Sequence, residues 1–168
     1  MVGHPQVFTT EQVAGLVGLN PKRDSWRILK FAESREYGIQ PSISSPKGSG
    51  SRRLYDPENV CEFALALRLL ETGLRSAAIG KVLKQVKRPL VSKLQTPEKL
   101  LYLVIIRTPH TGKPLAEKRP QEVRFAEDIE GACRILKSRC DDDVLFIPVG
   151  SLFQELKSRV EVLTKEGD

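Results

Sequence analysis

The sequence predicts an α+β chain: a helix-turn-helix carrying a hairpin wing, followed by a small α/β unit with the order β-β-α-β-α. Three observations predict it. Two short, well-capped helical segments meet at a glycine near the N-terminus. A Gly-, Ser- and Pro-rich stretch flanked by apolar residues then runs straight into a third capped helix. In the second half, β-branched runs alternate with helical periodicity, the pattern of a compact mixed layer. With 168 residues and 40% hydrophobic content, the chain can support a core of one domain or two small ones.

Phe8-Thr9-Thr10-Glu11-Gln12-Val13 reads as a helix start, with Thr9 as N-cap, Gln12 as its capping-box partner and Phe8 placed to staple against Val13. Val13, Leu16 and Val17 share a face, Gly18 stops the run, and Asn20-Pro21 opens a second helix that ends near Ser34. Two helices joined by a tight glycine turn are a helix-turn-helix candidate. On the second helix, Trp26, Leu29 and Ala32 stand three apart and are assigned to the core. Lys22, Arg23, Arg27 and Lys30 are assigned to the other face, where long donors suit a helix lying in a major groove. A merely solvated basic face is the plainer alternative.

Residues 37 to 55 contain Pro41, Pro46, Gly48 and Gly50 among five serines, and their flanks suit two short strands around a mobile tip. At the end of this wing, Arg52, Arg53 and Tyr55 directly precede a helix with Asp56 as N-cap and Pro57 at its first position. Arginines so placed grip phosphates or enter a groove, with Lys47 at the tip. The helix from Asp56 carries Val60, Phe63, Ala64, Leu67 and Leu70 on one stripe and ends at Thr72-Gly73. A following helix, capped by Ser76, presents Ile79, Val82, Leu83 and Val86 and is expected to stop at Pro89.

The second half opens with Leu100 to Ile106, an almost continuous apolar run that reads as a buried central strand. A shorter strand at Glu122 to Phe125, a helix from Asp128 to Ser138 with Ile129, Ala132, Cys133 and Leu136 on one side, and a strand at Val144 to Val149 follow. Ser151-x-x-Gln154 reads as a capping box for a last helix bearing Leu152, Leu156, Val160 and Leu163. About 70 residues is near the lower limit for a self-sufficient core, a limit that dimerisation would relieve.

Charge is one-sided. The net charge is +6, and residues 1 to 88 hold fourteen Lys and Arg against eight Asp and Glu, while residues 89 to 168 hold thirteen of each. The excess in the N-terminal half favours a polyanionic partner. Cys61, Cys133 and Cys140 form no CxxC pair, so reduced thiols are expected, and metal or oxidant sensing by Cys133 and Cys140 is the minor alternative. The loop Thr108 to Pro114 lacks the first glycine and the hydroxyl residue of a phosphate loop, and Asp141-Asp142-Asp143 lacks calcium-loop spacing. His4 and His110 are isolated, and no nucleophile, base and orienter set assembles, so neither catalysis nor a cofactor is expected. No signal-peptide-like or membrane-length apolar run is present, which implies a cytoplasmic protein.

Gly38-Ile39-x-Pro41, Arg53-Leu54-Tyr55, Glu58-Asn59-Val60, Leu67, Gly73-Leu74 and Ile79 to Leu83, in this order and spacing, resemble the winged helix-turn-helix domain of the MerR family. The opening Phe8 to Ala14 and Gly18-Leu19-Asn20-Pro21 are similar too, and the resemblance covers about residues 7 to 86. Arg27 matches the family's helix arginine, and Arg53 with Tyr55 its wing-to-helix motif, whereas Ile28 and Leu29 stand where the family has tyrosines. The resemblance implies a sequence-specific, usually dimeric, DNA-binding regulator. The family normally continues into a long coiled-coil helix, for which Pro89 and Pro97 leave too little room here.

The sequence therefore predicts a MerR-like DNA-binding domain over residues 1–88 and an α/β domain for dimerisation or signal input over residues 89–168. The expected partner is double-stranded DNA on the nucleoid, contacted by Lys22, Arg23, Arg27, Lys30, Lys47, Arg52, Arg53 and Tyr55, with a homodimer and an unidentified effector. An excisionase-like or chromosome-organising protein, or an adaptor or ligand-binding protein that does not touch nucleic acid, are the alternatives.

Overall fold

The structure, a computed structural model, describes residues 7–44, 53–95, 101–107, 120–137 and 143–166. In chain order its elements are β1 (Phe8–Thr9), α1 (Thr10–Leu16), α2 (Pro21–Glu33), β2 (Ile43–Ser44), β3 (Arg53–Tyr55), α3 (Pro57–Glu71), α4 (Ser76–Gln95), β4 (Tyr102–Arg107), β5 (Pro120–Ala126), α5 (Ile129–Lys137), β6 (Asp143–Pro148) and α6 (Gly150–Glu166). Mixed helix and strand, with two small antiparallel sheets, is the α+β class that the patterning predicts. The first sheet has the order β1-β3-β2, with Phe8 opposite Tyr55 and Ser44 opposite Arg53; β1 is a strand the sequence reading did not anticipate. The second has the order β5-β4-β6, so the apolar run around Leu103 to Ile106 is the central strand.

Because side chains alternate across a strand, β4 feeds two cores. Leu103 and Ile105 join a large cluster that also takes Phe8, Val13, Ile28, Tyr55, Phe63, Ile79, Val86, Phe153 and Leu156. Val104 and Ile106 face the opposite way and pack with Ala126 and Ala132 under α5. Elements from both ends of the sequence thus share one core, which relieves the size limit that the C-terminal half would meet alone. Two polar ties reinforce the junction. Arg159 on α6 donates from Nη1 to the Leu16 carbonyl at 2.8 Å, placing a cation where α1 ends with unsatisfied carbonyls. The Val123 amide on edge strand β5 donates to Gln85 Oε1 at 3.1 Å, so α4 covers part of that edge.

The innermost helix is α3. Every residue from Asn59 to Ala66 is buried, and Leu69 as well, so the single apolar stripe read from the sequence is in fact enclosure on most sides. Phe63 meets Tyr55 and Phe31 edge-on, with ring centroids 5.3 and 6.3 Å apart. Enclosure extends to a carboxylate, since Glu62 is 3% exposed. It accepts from Asn59 Nδ2 at 3.0 Å and pairs with Lys87 Nζ on α4 at 3.2 Å.

Four local expectations are corrected. α4 does not stop at Pro89 but runs to Gln95, twenty residues in all. Proline's fixed φ is compatible with a helix, so Pro89 costs a backbone hydrogen bond without ending the element. Ser76 is the first helical residue rather than the cap: Ile79 N bonds back to the Arg75 carbonyl, and the Ser76 hydroxyl donates to the Glu36 carboxylate. α6 opens at Gly150, with Val149 N and Gly150 N both donating to Leu101 O, so Ser151 lies inside the first turn. On α5, Ala132 is buried as expected, but Ile129 and Cys133 are exposed and Ile135 packs inward instead, so the inner face is rotated from the predicted one.

Two substitutions test the packing. A Cβ at Gly80 would sit 1.6 Å from the Glu36 carbonyl oxygen, a backbone atom that cannot move aside alone. Gly80→Ala is expected to destabilise by about 2 kcal/mol or more, read from the urea midpoint. Lys87 is 51% exposed, which weakens its ion pair. Lys87→Met should therefore lose about 1–2 kcal/mol, and Glu62→Gln in that background should recover part of it by removing the unpaired buried charge. A double variant no more stable than Lys87→Met would show that the buried charge is not what Lys87 serves.

Candidate nucleic-acid interface

The predicted capping box is present. Thr9 Oγ1 accepts from Gln12 N at 3.3 Å, and Gln12 Oε1 accepts from Thr9 N at 2.9 Å. After α1 the chain turns at Gly18, whose φ of +82° is open to glycine at little cost. Leu19 N returns to the Ala14 carbonyl, and Asn20 Oδ1 then accepts from Lys22 N at 3.1 Å and Arg23 N at 3.0 Å, with Pro21 at the first helical position. Both ends of the turn are thereby fixed, so the direction in which α2 leaves it is set locally.

On α2 the fully buried residues are Ile28 and Phe31; of the three predicted inward, Ala32 packs partly buried against the core, Leu29 is half-buried and Trp26 is outside. Trp26 is 56% exposed and its assignment to the core is corrected. Helical geometry explains this: Trp26 lies four residues from Lys22, three from Arg23 and four from Lys30, so it shares their face. Lys30 Nζ sits 6.0 Å from the indole centroid. Lys22, Arg23 and Lys30 are exposed as expected, while Arg27 is half-buried at the margin. Arg23 is engaged by its neighbour, with Nε and Nη2 each 3.1 Å from an Asp24 oxygen. The hydrogen bond from that guanidinium holds the Asp24 carboxyl below its usual range.

The first sheet stands beside this helix. Arg53 Nη2 donates to Glu33 Oε1 at 3.0 Å, joining β3 to the last turn of α2. Behind it, Ser42 Oγ lies 2.6 Å from Asp56 Oδ2 and 2.8 Å from Asn59 Oδ1 and accepts from Asp56 N, while Asp56 Oδ1 caps α3 through Asn59 N. Tyr55 is another correction. Its ring is wholly buried against Phe63, and burial pushes its phenol pKa up, so it does not reach a surface partner. Thr10 and Arg53 flank the hydroxyl, which makes no hydrogen bond of normal geometry among the described residues. Tyr55 acts by seating β3, and with it Arg53. Lys47 and Arg52 lie outside the described residues.

A cleft of about 310 Å³ opens beside Trp26, lined by Arg27, Lys30, Phe31, Tyr37 and Leu70. On the other flank Leu29, Glu33 and Ser34 border a shallower depression. Nothing in the sequence reading anticipated the cleft, although the spacing of Trp26 from Lys22 and Lys30 was enough to put the indole outside.

Other candidate chemistry does not gather. Among the described residues no group of three or more His, Cys, Asp or Glu side chains forms a metal cluster, and no helix is long and apolar enough to cross a membrane. The loop 108–114, Cys140, Asp141, Asp142 and His4 lie outside the described residues. Cys61 is buried and Cys133 exposed. No family model matches the chain, and no curated protein matches it.

Burial, with Glu62 and Glu58 nearby, pushes the Cys61 thiol far above the range in which thiolate forms. At pH 8 iodoacetamide should label Cys133 more than about tenfold faster than Cys61, followed by peptide mass mapping, and urea should abolish the difference. Equal rates in the folded protein would contradict the enclosure of α3.

Proposed function

We propose that this chain is a sequence-specific double-stranded DNA-binding transcriptional regulator of the MerR type. The α1–turn–α2 unit is its helix-turn-helix and the β1-β3-β2 sheet is the base of its wing. One observation carries the reading: the outward face of α2 groups Lys22, Arg23 and Lys30 around an exposed Trp26, and Glu33 ties Arg53 of the wing sheet to the same surface. Long cationic donors on a helix whose other face is locked into a core suit phosphate and base-edge contacts.

Lys22, Arg23 and Lys30 enter the major groove, with Arg27 at the margin. Arg53 holds the flanking backbone, and Lys47 and Arg52 extend that contact from the tip. Residues 89–168 brace α1 through Arg159 and supply the dimer contact or signal input. The twenty residues of α4, about 30 Å at helical rise, are compatible with the longer helix that the resemblance implies.

The test is a salt titration of the purified protein against random-sequence duplexes and genomic fragments. A steep slope with enrichment of one class of fragments is expected, and Lys22→Ala, Lys30→Ala and Arg53→Ala should each lower the slope by about one unit. A steep slope without enrichment supports an architectural role instead. Absence of binding near physiological salt sinks the proposal.

A further inference from the structure

We propose that the cleft beside Trp26 binds a small planar aromatic anion, of the benzoate class. Its walls are chemically divided. Trp26 and Tyr37 supply aromatic surface over a floor of buried Phe31, which meets Tyr37 edge-on with centroids 4.5 Å apart, and Leu70 of α3 closes the inner end. Arg27 and Lys30 are the charged residues that line it, both cationic. No acidic side chain lines it among the described residues: Glu33 on the adjoining flank is bonded to Arg53, and Glu36 beside Tyr37 accepts from Ser76. Burial raises the Tyr37 phenol above its ordinary value, so it remains an uncharged wall at physiological pH.

A volume of about 310 Å³ is at the small end of ligand pockets, which limits the occupant to one ring or a fused pair. A flat ring fits between the indole and the Tyr37 edge, and its carboxylate meets Lys30 and Arg27 at the rim. Lys30 already leans toward the indole face, so an anion arriving there meets a cation held in place. The class follows from these walls: an aliphatic acid would forfeit the aromatic contacts, and an aromatic cation would meet two like charges.

Trp26, Arg27 and Lys30 also belong to the surface proposed to meet DNA, so an occupied cleft reduces DNA affinity. That consequence rests on the DNA-binding reading; the binding itself does not.

The chain has a single tryptophan, so its emission and its indole N–H resonance report on the cleft directly. Benzoate, cyclohexanecarboxylate and benzylammonium are titrated into the full-length protein without DNA. Benzoate should produce a saturable change with a dissociation constant on the order of 1 mM, as suits so small a ligand. Cyclohexanecarboxylate should be several-fold weaker and benzylammonium inert. Lys30→Gln, which stays on an exposed helical surface, should weaken benzoate by roughly tenfold, the scale of one charge-assisted contact. No saturable benzoate response, an equal response to benzylammonium, or an unchanged Lys30→Gln overturns the site. A second arm repeats the duplex titration with benzoate at saturation, where lower DNA affinity is expected. Benzoate binding with unaltered DNA affinity overturns the coupling, whereas benzoate binding by a protein that binds no DNA overturns the earlier proposal and leaves the site standing.

Discussion

The enclosure of α3 is the constraint on which the other elements depend. With Asn59 through Ala66 buried, α3 must be covered by α2 through Phe31, by β3 through Tyr55, by α4 through Ile79 and Val86, and by the C-terminal elements through Phe153 and Leu156. Full burial of a large apolar side chain contributes about 1.5–3 kcal/mol, and these contacts draw on residues more than ninety positions apart. Removing any one layer would expose the same helix. This is why the two halves behave as a shared core rather than as beads on a string.

The same enclosure explains a polar feature inside it. A carboxylate as buried as Glu62 is unfavourable alone, so it is retained with Asn59 and Lys87 as partners. Asn59 is bonded in turn to Ser42, just before β2, and capped by Asp56 at the start of α3. A continuous polar line thus runs from the base of the first sheet through α3 to α4. Only the Asn59–Glu62 link is buried, while Ser42 and Lys87 at the two ends reach solvent, so one polar network joins the first sheet to α4 across the helix between them.

Sequence signals that act within a few residues were legible, because their physics is local. The Thr9–Gln12 box, the Asn20 cap with Pro21, the Asp56 cap and the β-β-α-β-α order all rest on short-range spacing and reappear in the structure. What covers each apolar face was not legible. The continuous apolar run marks Leu100 to Ile106 as a buried strand, but not that Leu103 and Ile105 share a core with Phe8 and Phe63. Tyr55 beside two arginines reads as a surface motif until its pairing with Phe8 across the sheet and its packing on Phe63 are known. Trp26 is different: its spacing from Lys22 and Lys30 places it on the basic face, and only the weight given to its hydrophobicity turned it inward. Pro89 likewise acts as a missing donor, not as a stop.

Charge pairing on α2 follows from the same geometry and bears on what its outer surface attracts. The helix has two acidic residues, and each is already engaged: Asp24 by Arg23 and the Asn20 amide, Glu33 by Arg53. Lys22 and Lys30 form no ion pair among the described residues. The acids therefore cannot also screen these lysines. Arg53 lies at the margin of the same surface and offsets Glu33, so the first sheet adds one positive charge there. The helix carries only two more cations than anions, yet the local pairing of its acids leaves the positive charge of Lys22 and Lys30 outward.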